Sequence, residues 1–273
     1  MSESRNWVGR LFLRTPESVR SIRNVPVIGD FVHRISHRIL ANDEKVWVQV
    51  QAGPSKGLWL ELNPRTGQSY LRGDAERAVQ KILAERLRPG MVFYDLGANI
   101  GLFSLLAARL VGASGKVFSF EPDAEVAARL RRNVDRNRFS NVSVVEEGVW
   151  SSSGEMSFVP ANPASPDHGT GSVETRRGVA SLQKVQCVSL NDFADKAPQP
   201  DAIKCDIEGA EVEMLRGATT ILRTRRPWIV CEMHSEANNR MCREILREFE
   251  YRFEFIDRNH ILAAPSGVQT SAT

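Results

Sequence analysis

The chain has 273 residues, 42% of them hydrophobic and 25% charged, an ordinary balance for a soluble globular protein with one large core or two modest ones. No apolar run reaches transmembrane length, and Trp7 to Leu13, broken by Arg10, is too short for a signal-peptide core, so a cytoplasmic protein is expected. The formal net charge of +3 lies wholly in residues 1–45, with eight Arg/Lys against five Asp/Glu; the remainder holds 28 of each, which argues against a long nucleic-acid track.

Residues 1–45 read as a basic helical arm. The stretch 28–40 carries Phe31, Val32, Ile35, Ile39 and Leu40 at helical spacing, with Arg34 and Arg38 on the polar side. Such an arm suits packing on the body, a homodimer contact or a peripheral surface contact. A small β preface follows at 46–73: strands at 46–50 and 58–62, then a turn at 63–67. A helix is expected over 74–87, stopped by Pro89 and Gly90.

From there to residue 265 apolar strands and amphipathic helices alternate. Strands are expected at 92–94, 116–120 and 142–145, with helices at 101–110 and 124–137 between them. That rhythm predicts an α/β fold with a mostly parallel sheet covered by helices on both faces. A short strand is expected at 156–159. The Pro-, Gly- and Ser-rich stretch 160–180 is too long for an ordinary connection and is expected to be a lid. Strands at 185–190, 202–205 and 228–232, helices at 210–222 and 238–249, and a closing hairpin at 253–256 and 261–263 complete the domain before a frayed tail at 266–273. Cys187, Cys205, Cys231 and Cys242 form no CxxC pair and are expected to be buried free thiols.

The most telling segment is Val92-Phe93-Tyr94-Asp95-Leu96-Gly97-Ala98-Asn99-Ile100-Gly101: a strand ends in an acid, and glycines open a helix. A second strand ends in Glu121 and Pro122, placing an acid where ribose hydroxyls are bound in nucleoside crevices. The spacing is DxGxNxG, not GxGxxG. An acid at Asp95 would repel the pyrophosphate of a dinucleotide, which speaks against a nicotinamide-dependent oxidoreductase. It suits S-adenosyl-L-methionine, which has a sulfonium, an amino group and no phosphate. Asp95 and Asn99 are expected to face the cofactor, Gly97 and Gly101 to let the backbone approach it, Pro122 to turn the chain toward the adenine, and Glu147 and Gly148 to contact the adenine edge.

A second constellation is Lys204-Cys205-Asp206-Ile207-Glu208-Gly209-Ala210-Glu211. Alternation sends Lys204 and Asp206 to one side, and a lysine inside a covered sheet needs a partner. Glu232 and His234 end what is expected to be a neighbouring strand, so acids, a lysine and a histidine converge on one rim. Glu211 reads as a first-turn acid stabilised by its helix dipole. His234 is a candidate general base because its reference pKa lies near neutrality; Asp206 or Glu208 are alternatives. A divalent ion held by Asp206 and Glu232, with His234 nearby, is a further option, but no diagnostic metal motif is present and none is assigned.

These segments carry a resemblance. FYDLGANIGLFSLLAA, VFSFEP, NVSVVEEGVW, VSLNDF, DAIKCDIEGAEVEMLRGA and WIVCEMH, in this order, resemble the FkbM-type S-adenosylmethionine-dependent methyltransferases over residues 55–256. The resemblance implies a Rossmann-like class I methyltransferase fold with a seven-stranded sheet whose last strand is antiparallel. It also implies O-methylation of a hydroxyl on a small molecule such as a sugar or polyketide, with S-adenosyl-L-homocysteine as product. On the same basis Asp95, Gly97, Asn99 and Gly101 correspond to the cofactor loop and Glu121 to the ribose-binding acid, with Asp206 and Glu208 in the second signature at the active-site rim. The competing non-enzymatic reading is a methyltransferase-like scaffold that binds a partner, but it leaves Lys204 and its acids without a role.

Overall fold

The computed structural model describes residues 45–63, 67–159, 172–173 and 183–267. The expected arm up to residue 44, the expected lid apart from 172–173, and the tail beyond 267 lie outside the described residues.

Strands β1 (Val46–Gln49) and β2 (Trp59–Leu62) pair antiparallel. Helix α1 (Gln68–Arg72), which the sequence reading missed, ends at Gly73, whose φ of 78° lets its N–H return to Ser69 and Tyr70. The amide of Asp74 also bonds to Ser69 O, so residue 74 belongs to this joint, and α2 (Arg77–Arg86) starts later than expected. The next units follow the expected rhythm: β3 (Val92–Leu96), α3 (Leu102–Val111), β4 (Lys116–Phe120), α4 (Ala124–Asn137) and β5 (Val142–Val145). Asp123 caps α4 by accepting from the amides of Glu125 and Val126.

A four-stranded sheet then departs from a simple loop reading. It comprises β6 (Gly148–Val149), β7 (Gly154–Val159), β8 (Ser172–Val173) and β9 (Gln183–Val188), in the order β6-β9-β7-β8. Within the expected lid, residues 172–173 are therefore strand, paired with 158–159. The chain continues through α5 (Leu190–Ala194), β10 (Ala202–Cys205), α6 (Glu211–Arg216), α7 (Thr219–Thr224), β11 (Trp228–Glu232), α8 (Glu236–Glu248), β12 (Tyr251–Phe255) and β13 (His260–Pro265). The single helix expected at 210–222 is broken between α6 and α7. Gly217 lies there with its α-carbon against the Trp150 carbonyl, where a Cβ would come within 2.3 Å of that oxygen, and its own carbonyl accepts from Asn191.

The main sheet has seven strands in the order β12-β13-β11-β10-β3-β4-β5. Only β13 runs against its neighbours, so the expected closing hairpin inserts its second strand beside β11. Strand alternation divides the apolar residues between two cores. One face presents Phe93, Ala202, Val230 and Leu262; it shares a core with Val48, Leu60 and Leu62 of the preface and Leu83 of α2. The other presents Leu96, Ile203, Cys205 and Cys231 to α6, α7 and α8. All four cysteines are buried free thiols, as expected.

Asn133, fully buried on α4, ties the preface to the loop after β3. Its Oδ1 accepts from the Glu61 amide at 2.8 Å and its Nδ2 donates to the Ile100 carbonyl at 2.7 Å. Replacement by leucine leaves two backbone groups without partners. Asn133→Leu is therefore expected to lose about 2–5 kcal/mol in urea unfolding, and a loss below about 1 kcal/mol would mean that these bonds are dispensable.

Candidate active site

The register of the main sheet assembles the site. Beyond the apolar residues Phe93, Ala202, Val230 and Leu262, the next residues on the same face are Asp95, Lys204, Glu232 and His260; Lys204 lies opposite Val230, so Glu232 and His260 stand one step further out. Asp95 and Lys204 are direct partners across β3 and β10, and Glu232 and His260 across β11 and β13. A polar stripe thus caps one core at the carboxyl ends of the parallel strands, where open α/β sheets place their ligands.

Lys204 is 3% exposed and surrounded by oxygen. Its Nζ donates to the Gly97 carbonyl at 3.2 Å and to Asp206 Oδ2 at 3.3 Å, stands 3.8 Å from Asp95 Oδ1, and lies 5.2 Å from the Phe103 ring centroid. Burial opposes its charge, but the Asp206 and Asp95 carboxylates outweigh burial and hold the ammonium above the ordinary lysine range. The expected partnership of Lys204 with Asp206 is present. Lys204 thereby bridges the loop after β3 and the loop after β10.

Asp95 is fully buried, accepts from Ser104 Oγ at 2.5 Å, and has a pKa raised chiefly by burial. Its carboxylate faces Lys204 and Ser104. Gly97 and Gly101 are likewise required by the protein itself. A Cβ on Gly97, at φ 72°, would come within 1.8 Å of the Asp206 carbonyl oxygen, and one on Gly101, at φ 90°, within 2.1 Å of Leu130 Cδ1. The two signature loops touch at Gly97, and the loop after β3 touches α4 at Gly101.

Glu121 lies at the end of β4, 8% exposed, its two oxygens accepting from the amides of Asn99 at 2.9 Å and Asp123 at 3.0 Å. Burial pushes its pKa up to about 7 despite these bonds. Asn99 has a φ of 49°, and its Oδ1 is buried without a hydrogen bond. Pro122 follows directly, Glu147 precedes β6 and Gly148 opens it, with Gly148 close enough to Pro122 that a Cβ would lie 3.9 Å from the proline Cβ. The Glu121 carboxylate and the Asn99 side-chain oxygen stand together at the carboxyl ends of β3 and β4, where open α/β sheets hold a ligand-binding crevice. That chemistry fits a nucleoside carrying hydroxyls and a cationic amino acid moiety.

At the rim, His234 is held between acids on both sides. Nδ1 is 3.0 Å from Glu211 Oε1; Nε2 is 3.4 Å from Glu208 Oε2 and 3.5 Å from Asp206 Oδ1. Burial would lower its pKa, but the bonds to Glu208 and Glu211 raise it to about 11. These acids favour the protonated ring, the form that donates rather than accepts. Glu211 is the residue the sequence reading missed. It is fully buried, accepts from the Gly209 amide and the Asn238 side chain, and orients His234. Its signal was an acid in the first turn of a helix that packs inward.

Asp206 Oδ1 is buried without a hydrogen bond. Burial pushes the Asp206 pKa up, but Lys204 and then His234 more than reverse this, so the group stays ionised. Glu232 is lifted to about 7 by burial and by Asp206. Carboxylate and imidazole atoms of Asp206, Glu232 and His234 lie within 4.8 Å of one another, as do those of Glu76, Glu232 and His260.

The fold and this crevice define a class I S-adenosylmethionine-dependent methyltransferase. Residues 95–254 match the family described as Methyltransferase FkbM domain, and the chain belongs to that family. Hexuronic acid methyltransferase AglP of Haloferax volcanii is 30% identical over 189 residues, covering 69% of this chain and 74% of that protein. The 31-O-demethyl-FK506 methyltransferase FkbM of Streptomyces tacrolimicus is 39% identical over 89 residues, 33% of this chain and 29% of that one. Among solved structures, methyltransferase FkbM from Methylobacillus flagellatus KT aligns with a TM-score of 0.48 at 19% identity, over 74% of this chain and 48% of that one.

Two substitutions test the buried contacts. Lys204→Met strands two buried carboxylates and is expected to cost about 3–5 kcal/mol in denaturant unfolding. Gly97→Ala combines a disallowed contact with left-handed strain and is expected to exceed about 3 kcal/mol. Gly209→Ala, where φ is 99° but no atom lies within 4 Å of the added Cβ, should cost only about 1–2 kcal/mol. Equal losses at the two glycines would refute the contact between the loops.

Proposed function

We propose that this chain transfers a methyl group to a hydroxyl oxygen of a small molecule such as a sugar or natural product. The observation that carries the reading is Asp206 Oδ1, buried without a hydrogen bond 3.5 Å from His234 Nε2, at the same carboxyl edge of the sheet as Glu121. The similarity to a hexuronic acid methyltransferase supports a sugar-like acceptor.

In this reading S-adenosyl-L-methionine supplies an electrophilic methyl group on a sulfonium. Glu121 accepts from the ribose hydroxyls, and the loop of Gly97, Asn99 and Gly101 holds the amino acid moiety through its backbone and the Asn99 amide. Pro122, Glu147 and Gly148 border the adenine. Lys204 and Asp95 keep this loop against the Asp206 loop. Asp206 Oδ1 would accept a hydrogen bond from the acceptor hydroxyl, orient its oxygen and take its proton. His234 holds Asp206 and the partly exposed Glu208 in place.

The test is calorimetric titration with S-adenosyl-L-homocysteine, with NADH as a control, followed by methylation assays on hydroxylated acceptors. Binding of the first ligand alone is expected; binding of neither would favour a scaffold without catalytic function. Glu121 adds a pH dependence. Its folded pKa near 7 exceeds the unfolded value, so the folded chain binds more protons between about pH 4.5 and 7, and Glu121 stabilises the fold less as pH rises through that window. Ribose hydroxyls prefer the ionised form. Affinity for S-adenosyl-L-homocysteine is therefore expected to weaken by up to about tenfold per unit as pH falls below about 7. Glu121→Gln should bind more weakly and lose that slope; an unchanged slope in the variant would remove Glu121 from the ribose site.

A further inference from the structure

We infer that Glu76, Glu232 and His260 form a divalent-cation site beside the methyl-transfer crevice. The residues come from three elements. Glu76 stands at the N-terminus of α2, Glu232 ends β11, and His260 opens β13. They converge because β11 and β13 pair Glu232 directly with His260, while α2 covers the same face of the sheet.

His260 is the decisive residue. It is 5% exposed, and its Nε2 is buried without a hydrogen bond. That nitrogen points at Glu76 Oε2, 3.3 Å away, and at Glu232 Oε2, 3.8 Å away. Glu76 Oε2 is itself buried and unbonded. The other ring nitrogen, Nδ1, lies 2.9 Å from Asp257 Oδ1. A carboxylate on Nδ1 fixes the ring and turns Nε2 toward the two glutamates, so that a metal ion would replace a proton on that nitrogen, the arrangement by which histidine ligates metals.

The spacing and charge agree with an ion. With metal–ligand bonds of about 2.1 Å, neighbouring ligand atoms lie about 3.0 Å apart in an octahedral site and about 3.4 Å apart in a tetrahedral one. The ligand atoms here lie within 4.8 Å of one another, so a small inward movement closes the set. Glu76, Glu232 and Asp257 surround a single imidazole with three carboxylates, and Asp206 adds its charge from the adjacent strand end. Even with His260 protonated, the group carries surplus negative charge in a half-buried place. Two carboxylates with one imidazole suit Mn²⁺, Co²⁺ or Zn²⁺ better than Mg²⁺ or Ca²⁺.

The inference stands apart from the acceptor reading and is tested without turnover. Chelator-stripped full chain is titrated with Co²⁺, followed by its visible absorption, with Zn²⁺ as competitor. Saturable one-to-one binding is expected. His260→Ala and Glu76→Gln should each weaken it at least about tenfold, and Asp257→Asn about tenfold, whereas His234→Ala should leave it within about threefold. Glu76→Gln, at a partly exposed side chain, keeps the test valid should His260→Ala fail to fold. Absence of saturable binding would mean that a proton on His260 alone holds the cluster. Binding that survives Glu76→Gln and Asp257→Asn, or that disappears in His234→Ala, would move the ion elsewhere. Each of these results overturns the assignment.

Discussion

The site depends on one buried cation. Lys204 reaches across two strand ends and binds the carbonyl of one signature loop and the carboxylate of the other, with Asp95 as a further counter-charge. A lysine this enclosed is tolerable only when every direction of its ammonium meets oxygen, and removing any partner leaves an uncompensated charge. The arrangement therefore works as a lock. It brings the loop after β3 against the loop after β10, which is also why Gly97 has no room for a side chain. Both halves of the crevice, the nucleoside side and the rim, inherit their separation from this contact.

From that lock outward, charge alternates in sign. Asp206, held ionised by Lys204, meets the imidazolium of His234, which in turn lies between Glu208 and buried Glu211. A cationic histidine is a consequence of its neighbours: three carboxylates around one ring outweigh the burial that would otherwise neutralise it. The site is thus a donor and acceptor array with little freedom to reorient. This suits a transfer in which alignment of oxygen and methyl carbon carries most of the barrier reduction.

The strand and helix rhythm was legible because the main sheet is buried on both faces and its strands read as apolar runs. The hairpin that reverses β13, the carboxyl-end acids and the Lys204–Asp206 pairing were legible for the same periodic reason. What escaped was set by distant contacts. The break between α6 and α7 depends on the Trp150 backbone pressing on Gly217, a residue 67 positions away in sequence. The glycines of DxGxNxG read as space for a ligand, yet the atoms that forbid a side chain there belong to Asp206 and Leu130. The contact of His234 with Glu211 was not legible, because Glu211, a first-turn acid by position, turns inward to the ring. Composition cannot tell a helix-dipole acid from an anchor; only packing of α6 against α8 does so.

The preface illustrates how the same packing gives an apparently peripheral segment a place in the site. Its strands contribute to the core beneath the polar stripe, Asn133 ties its backbone to the loop after β3, and the joint that follows α1 delivers Glu76 to His260. Glu232 is the hinge of this geometry. Its register partner is His260, its loop neighbour two residues on is His234, and its carboxylate is lifted toward neutrality by burial beside Asp206. The sheet register that places acid beside histidine at this strand end therefore couples the preface, through one side chain, to the rim at which the acceptor hydroxyl is oriented.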